Sequence, residues 1–119
     1  MSERVQRRRL ETAGGVVLAD DLELATTVVS RFLGLMFRTG LAPGQGLLIR
    51  PCNSIHMFFM RFPVDVAFVD RNGVVLHILN GIRPWRVSRM VRGAKAAYEL
   101  PAGSLAAAGI HRGDALRVV

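Results

Sequence analysis

Side chains that could do chemistry are concentrated in residues 51–65. This segment carries a thiol at Cys52, an imidazole at His56, a guanidinium at Arg61 and a carboxylate at Asp65, all among apolar neighbours. A thiol beside an imidazole could form a nucleophilic pair, and either group could bind a soft metal ion. A guanidinium and a carboxylate could instead orient a small polar ligand. The spacing within the segment decides among these chemistries.

In an extended strand, successive side chains point to opposite faces, so Cys52, His56 and Met60 would share one face. Sulfur and imidazole ligands suit copper(I), but this spacing matches no recognised ligand motif. Cys52 and His56 would lie roughly 13 Å apart along such a strand, too far for direct proton transfer. The sequence therefore predicts no metal and no cofactor. A small hydrolase that uses Cys52 or a histidine base stays as an alternative.

A binding pocket is the leading hypothesis, and it rests on Arg61 and Asp65, which interrupt an otherwise apolar stretch. Because buried charges need partners, we expect these two residues to pair at the edge of a cavity. His56 would line the same pocket and Trp85 would form one wall. The alternative is a buried strand whose polar groups satisfy one another and fix the register of the sheet.

A second feature is a basic flank of five cations spaced three residues apart. Its members are Arg83, Arg86, Arg89, Arg92 and Lys95. No acidic residue occurs between Asp70 and Glu99, so this segment has a positive potential. Together with Trp85, the flank could hold a phosphate or single-stranded nucleic acid, although no recognised nucleic-acid motif is present. The alternative is a solvated surface that keeps the domain soluble.

Length and composition bound the class of protein. The chain has 119 residues, half of them hydrophobic, and a net charge of +7, which fits one domain. Its single cysteine excludes an intrachain disulfide. No apolar run approaches the roughly 20 residues of a membrane span, and the start of the chain lacks a secretion-signal pattern. We expect a cytoplasmic protein without a membrane partner, with residues 1–10 as a flexible basic tail and residues 11–119 as the domain.

A hairpin and a helix are predicted in the N-terminal part of the domain. Residues 16–18 and 22–25 are mostly apolar, and the residues between them fit a tight turn. Thr26 or Thr27 would cap a helix that reaches about Leu33 and ends at Gly34. Valines make this helix intrinsically weak, so packing of its apolar stripe must hold it.

The strongest hairpin signal joins residues 64–69 to residues 74–79 through Asp70-Arg71-Asn72-Gly73. The other predicted elements are strands at residues 47–49, 96–100 and 115–119 and a short helix capped by Ser104. Neither repeats nor βαβ spacings occur. The pattern therefore predicts a mainly β fold, a small antiparallel β-sandwich or open barrel with two short helices.

Several motifs follow one another along residues 14–119. They are Gly34-Leu35-Met36-Phe37-Arg38, Gly44-Gln45-Gly46-Leu47-Leu48, residues 51–65, Asp70 to Gly73, Tyr98-Glu99-Leu100-Pro101-Ala102-Gly103 and Gly109-Ile110-His111-Arg112-Gly113-Asp114. Taken together, they resemble the domain-of-unknown-function family 192. The resemblance implies a small, mainly β domain and no established activity or catalytic residue. Many members carry a tryptophan-methionine-lysine-asparagine run and are exported, whereas this chain has Phe59-Met60-Arg61-Phe62.

These features together predict a non-catalytic binding or accessory module. It would have a polar pocket and a basic flank suited to a small anionic ligand or nucleic acid. A purely structural domain that docks on another protein is a further alternative, and such a domain would expose an apolar patch instead of a pocket.

Overall fold

The computed structural model describes residues 8–119, which form one curled β-sheet and two short helices. The strands are β1 (Arg8–Thr12), β2 (Val17–Ala25), β3 (Gln45–Ile49), β4 (Val64–Val69), β5 (Val75–Ile82), β6 (Ala96–Pro101) and β7 (Leu116–Val118). The helices are α1 (Val28–Leu33) and α2 (Ser104–Ala107). The strand order across the sheet is β5-β4-β6-β3-β2-β1-β7. The prediction of a mainly β fold with two short helices is confirmed.

The two outer strands meet at one end, so the sheet is a half-barrel. Val74, next to β5, forms a bridge with Ala115, and the Leu116 amide donates to the Gly73 carbonyl at 2.9 Å. Gly73 has a φ of +80°, and a Cβ there would lie 2.3 Å from the Leu116 carbonyl oxygen. Only glycine fits such a close approach of two backbones.

Strand β2 is continuous, so the hairpin predicted within residues 16–25 is wrong. The amides of Asp20 and Asp21 donate to the Gly44 carbonyl at 3.0 Å rather than forming a turn. β2 pairs antiparallel with β1 and parallel with β3, the one parallel pair in the described sheet. Residues 8–10 of the predicted tail belong to β1, where Leu10 is fully buried. The rest of that tail, residues 1–7, lies outside the described residues.

Two local predictions are confirmed and one is corrected. β4 and β5 form the predicted hairpin, in which Asp70 Oδ1 accepts the amides of Asn72 and Val74 at 2.8 and 3.0 Å. Thr27 caps α1 with a reciprocal Thr27–Ser30 capping box, and Gly34 ends the helix. α2 has Gly103 as its cap, so Ser104 is its first residue rather than the cap.

Side chains on the two faces of the sheet enter separate hydrophobic clusters. One cluster contains Leu48 and Tyr98 and is closed by Leu105 of α2. The other contains Leu47 and Ala97 and is covered by the irregular segments at residues 51–62 and 85–94. Since side chains alternate along a strand, Glu99 lies on the Ala97 face of β6.

Residues 51–63 form no strand, so the alternative of a buried strand through residues 51–65 is wrong before Val64. They run beside residues 85–91, to which they are joined by backbone hydrogen bonds. The Ser88 amide donates to the Ile55 carbonyl at 2.9 Å, and the Met57 amide donates to the Arg86 carbonyl at 2.7 Å. Ile55 and Met57 are buried, whereas the following Phe58 and Phe59 are exposed. The backbone reverses here, which places two aromatic rings outside the core.

Helix α1 does not pack as its apolar stripe predicts. None of its residues is buried, and Val28 is 75% exposed. Neither helix of the described part of the chain is long and apolar enough to cross a membrane.

Candidate functional site

A cleft lies between α1 and residues 51–56, and strand β6 contributes to its inner wall. The cleft has an inner chamber of about 50 Å³ and an adjoining outer depression of about 330 Å³. Arg31, Phe32, Cys52, Ser54 and His56 line both parts, whereas Glu99 and Met60 line only the inner chamber. The chamber has room for one or two water molecules or the polar end of a ligand. The outer depression is at the small end of the range for ligand pockets.

Glu99 is the most perturbed group in this cleft. It lies on β6 between β3 and β4 and is 4% exposed. Its Oε2 atom is buried and has no hydrogen-bond partner within residues 8–119. Burial raises the pKa of Glu99 to about 7, and the Arg38 guanidinium opposes that rise. The carboxyl group is therefore divided between its neutral and charged forms near neutral pH, so it can donate or accept a proton.

Arg31 brings a cation from α1 to the same cleft. One terminal nitrogen, Nη1, donates to the Pro51 carbonyl at 3.1 Å, which fixes the guanidinium against residues 51–52. Its Nε atom is buried without a partner among the described residues. Most buried polar atoms in folded proteins are hydrogen-bonded, so unpartnered atoms on Arg31 and Glu99 around one chamber mark unused binding capacity.

Cys52 is placed as a neutral thiol. Its Sγ donates to the Ser54 carbonyl at 3.1 Å, and burial raises the pKa of the thiol. The negative charge of Glu99 raises the pKa of Cys52 further, whereas the Arg31 guanidinium lowers it. A reactive cysteine needs the opposite, an environment that stabilises the thiolate. The geometry therefore disfavours Cys52 as a nucleophile.

His56 forms part of the mouth of the cleft. Its Nδ1 accepts the Phe58 amide at 3.3 Å, so in the neutral ring the proton is on Nε2. The imidazole packs between Phe32 and Phe58, with ring centroids 5.4 and 5.1 Å away. This stack holds the ring at the border between the polar chamber and an exposed aromatic surface.

Asp65 and Arg61 lie apart, so the prediction that they form an ion pair at the edge of a cavity is wrong. Asp65 is 0% exposed, and its two oxygens accept the amides of Gly81 at 2.8 Å and Leu105 at 3.0 Å. Alternation along β4 points it to the face covered by α2, opposite Glu99. Arg61 is exposed. The Asp65 carboxylate thus joins β5 to α2 and does not line the cleft.

Comparison with known proteins places the chain in a family. The model of DUF192, the domain-of-unknown-function family 192, described as "Uncharacterized ACR", matches residues 9–118. The chain belongs to the DUF192 family. A UPF0127 protein of Pyrococcus furiosus is 34% identical over 113 residues, which cover 90% of this chain and 94% of that protein.

Solved structures resemble this DUF192 protein over most of its length. A protein of unknown function from Novosphingobium aromaticivorans has a TM-score of 0.80 and 26% identity, covering 92% of this chain and 82% of the other. A candidate transcription regulator of Sinorhizobium meliloti has a TM-score of 0.78 and 30% identity, covering 99% and 96%. These relatives support the curled-sheet fold.

The basic flank of this DUF192 protein is exposed at all five cations, Arg83, Arg86, Arg89, Arg92 and Lys95. Trp85 is also exposed, and its ring lies 6.2 Å from Phe58 and 5.0 Å from Phe59 between centroids. Lys95 also borders a shallow depression together with Arg31 and Cys52. Of the four predicted pocket residues, the structure therefore brings His56 to the cleft and Trp85 close to it.

Sequence reasoning missed Glu99 and Arg31. Glu99 had a usable signal, because it is an acid inside the apolar strand Ala96–Pro101, just as Asp65 is an acid inside Val64–Val69. The sequence does not show which of the two acids accepts backbone amides and which lines the chamber. Arg31 had no such signal, since one arginine in a short helix is ordinarily solvated.

Proposed function

We propose that this DUF192 protein is a binding module whose cleft takes the anionic head of a small ligand. The observation that carries the proposal is the pair of buried, unpartnered polar atoms, Glu99 Oε2 and Arg31 Nε, on residues that line one chamber. An unsatisfied buried polar atom costs about 1–3 kcal/mol, which a ligand that hydrogen-bonds to it would offset.

The donors around the cleft indicate the class of ligand. Arg31 presents N–H groups that suit a carboxylate or a phosphate. A protonated Glu99 can donate a hydrogen bond to the same anion, and Lys95 adds positive charge beside the outer depression. Phe32 and His56 offer flat apolar faces to the rest of the molecule. We therefore assign the cleft to a small carboxylate or phosphate monoester with a planar or apolar body.

Protonation of Glu99 should control the affinity for such an anion. A charged Glu99 repels the ligand, so binding requires the neutral form and favours uptake of a proton. Because burial raises the pKa of Glu99 to about 7, the affinity should fall as the pH rises above neutrality. The decrease approaches about tenfold per pH unit when binding needs one proton.

Thermal shift and calorimetry with acetate, inorganic phosphate and adenosine monophosphate test the proposal. We expect at least one probe to bind more tightly at about pH 6 than at about pH 8. Arg31→Gln should weaken binding, and Glu99→Gln should retain binding of acetate, which does not titrate in this range, but lose its pH dependence. Arg112→Gln, at an exposed turn residue, is the control. Failure of every probe at both pH values, or equal weakening by Arg31→Gln and Arg112→Gln, contradicts the proposal.

Nucleic-acid binding on the basic flank is a second candidate function. It is supported by five exposed cations beside an exposed tryptophan, Trp85. Binding to single-stranded RNA should weaken steeply with salt, because each phosphate contact releases counterions. The double variant Arg86→Gln/Arg89→Gln should reduce the salt slope by about 2. No binding at low ionic strength excludes this function.

The hydrolase alternative would now use Glu99 or His56 as the base, since Cys52 is placed as a neutral thiol. A carboxyl group with a pKa near 7 suits general acid–base catalysis. A panel of carboxylic and phosphoric esters tests this candidate. Catalysis predicts turnover that Glu99→Gln abolishes while the fold and binding survive, and absence of turnover across the panel excludes it for those substrates.

A further inference from the structure

A large exposed apolar surface borders the mouth of the cleft, and we name it the aromatic face. It consists of Val28, Val29, Phe32, Leu33, Phe37, Phe58, Phe59, Trp85, Val87 and Met90. Each of these side chains is exposed, up to 75% at Val28 and 70% at Met90. Exposed single apolar residues are ordinary, but ten large ones confined to α1, Phe37 and the two adjoining segments 58–59 and 85–90 are not.

The aromatic members form a connected row that includes His56. The distances between centroids of neighbouring rings are 5.4 Å for Phe32–His56, 5.1 Å for His56–Phe58, 6.2 Å for Phe58–Trp85, 5.0 Å for Phe59–Trp85 and 5.3 Å for Phe37–Phe59. Val87 is joined to the row by its bridge with His56. The rings and Val87 are therefore connected rather than scattered, and Val28, Val29 and Leu33 belong to the same short helix as Phe32.

Backbone strain is concentrated on this face. Within residues 8–119, the non-glycine residues with positive φ are Phe37 at 66°, Phe59 at 60° and Trp85 at 68°. All three are exposed aromatics of the row. A positive φ is unfavourable for bulky residues, and such strain clusters at functional positions. The unusual backbone here holds rings out in solvent, where they gain no core packing.

Cations dominate around the aromatic face, although Arg38, next to Phe37, is paired with Glu23 at 2.6 Å. The stretches 24–64 and 71–98, which contain every member of the face, hold ten basic residues and no acid. Along residues 85–92, the exposed apolar side chains are interleaved with arginines: Trp85, Val87 and Met90 with Arg86, Arg89 and Arg92. A partner of this surface must therefore be apolar and negatively charged at short intervals.

We propose that the aromatic face docks on the surface of an anionic lipid bilayer. Apolar tips would enter the acyl boundary while the interleaved guanidinium groups contact lipid phosphates, a division typical of proteins that lie on a membrane. A nucleic acid would offer no apolar contact to the exposed aliphatic side chains of the face, such as Val28 and Met90. A second copy of the chain would set arginines against arginines. The proposal concerns surface contact, which needs no span, and revises the expectation of no membrane partner.

Vesicle binding by the full chain tests the proposal, and Trp85 is its only tryptophan. We expect co-sedimentation with vesicles of equal parts phosphatidylcholine and phosphatidylglycerol, but little with phosphatidylcholine alone. Trp85 emission should shift to the blue and be quenched by lipids brominated on their acyl chains. Unchanged, unquenched emission on bound protein overturns the proposal, because it shows adsorption by charge without contact of the face.

Paired substitutions on and off the aromatic face test whether the face itself makes the contact with lipid. Val28→Ser/Val29→Ser and Phe58→Ser/Phe59→Ser should each lower the partition coefficient by about tenfold or more, since each removes two exposed apolar side chains. Val16→Ser/Val119→Ser removes two exposed side chains elsewhere and should change it little. Circular dichroism of each variant checks that it is folded before the partition coefficients are compared.

The remaining outcomes decide against the proposal. Equal effects of face and control variants overturn it, as does binding to single-stranded RNA but not to vesicles. Self-association that Phe58→Ser/Phe59→Ser abolishes, with no vesicle binding, assigns the face to a second copy instead. Glu99→Gln should leave vesicle binding unchanged, so failure here is distinguishable from failure of the ligand cleft.

Discussion

Replacing Glu99 by glutamine separates the cost of a buried carboxylate from the shape of its side chain. Glu99 is 4% exposed with one unpartnered oxygen, and burial raises its pKa from 4.5 to about 7. Glutamine fills nearly the same volume but has no titratable proton. The variant should therefore keep the packing of β6 and lose the coupling between folding and protonation at this position.

The sign of the effect follows from which state holds the proton. Between pH 4.5 and about 7, the folded protein keeps a proton on Glu99 that the unfolded chain releases. The stability contributed by this group is therefore lost as the pH rises through that window. At about 1.4 kcal/mol per pH unit, the loss reaches about 3 kcal/mol above pH 7. Glu99→Gln should be more stable than the wild type by up to this amount at about pH 8, and similar to it below about pH 5.

Urea unfolding, followed by Trp85 fluorescence and circular dichroism from about pH 4.5 to pH 8.5, measures the difference. His77, whose pKa is lowered by burial, titrates in both proteins and cancels in the comparison. Asp21→Asn, which removes a half-buried carboxyl group of β2, is the control and should retain the wild-type slope. Parallel pH curves for wild type and Glu99→Gln refute the reasoning. So does a variant that is less stable at pH 8, because that result means the carboxylate is paired when charged.

Three further predictions concern the scaffold and the thiol. Asp65→Asn should lower the free energy of unfolding in urea by about 2–4 kcal/mol, since an asparagine side chain cannot accept from both backbone amides that the carboxylate binds. A variant that loses ligand affinity but keeps its stability contradicts this structural role. Gly73→Ala should lower the free energy of unfolding by more than about 2 kcal/mol, because a Cβ would meet the Leu116 carbonyl. Gly113→Ala is the control: Gly113 also has a positive φ but faces open space, so this variant should cost only about 1 kcal/mol. Equal costs for the two variants contradict the prediction. Cys52 should react with iodoacetamide more slowly than glutathione at about pH 7, because burial raises its pKa; faster labelling means an activated thiolate.

Features encoded by neighbouring residues could be predicted from the sequence. The β4–β5 hairpin depends on a four-residue turn, and helix α1 begins and ends at side chains adjacent to it. Their geometry is set by local hydrogen bonds and by the conformational freedom of glycine. Strand β2 was missed because its two aspartates resemble a turn, while the carbonyl that accepts both their amides belongs to the distant Gly44.

The candidate site could be predicted only in part, because its chemistry depends on contacts between distant strands. Asp65 and Glu99 are both acids in apolar strands. Asp65 accepts two backbone amides from β5 and α2, whereas Glu99 faces the chamber with one oxygen unpartnered among residues 8–119. His56 was predicted to line a pocket with Arg61 and Asp65, but its neighbours in the cleft come from α1 and β6. Residue type and alternation show that an acid is buried, and only the fold shows what it faces.

The claim that the chamber between α1 and β6 is a ligand site is tested most directly by amide chemical shifts. Spectra of ¹⁵N-labelled protein would be recorded at about pH 6 during addition of acetate, inorganic phosphate or adenosine monophosphate. The account predicts saturable shifts concentrated at Gly34, Cys52, residues 54–56 and Glu99, which surround the chamber. Shifts confined to the basic flank at residues 83–95, or no saturable shift around the chamber with any probe, would contradict it.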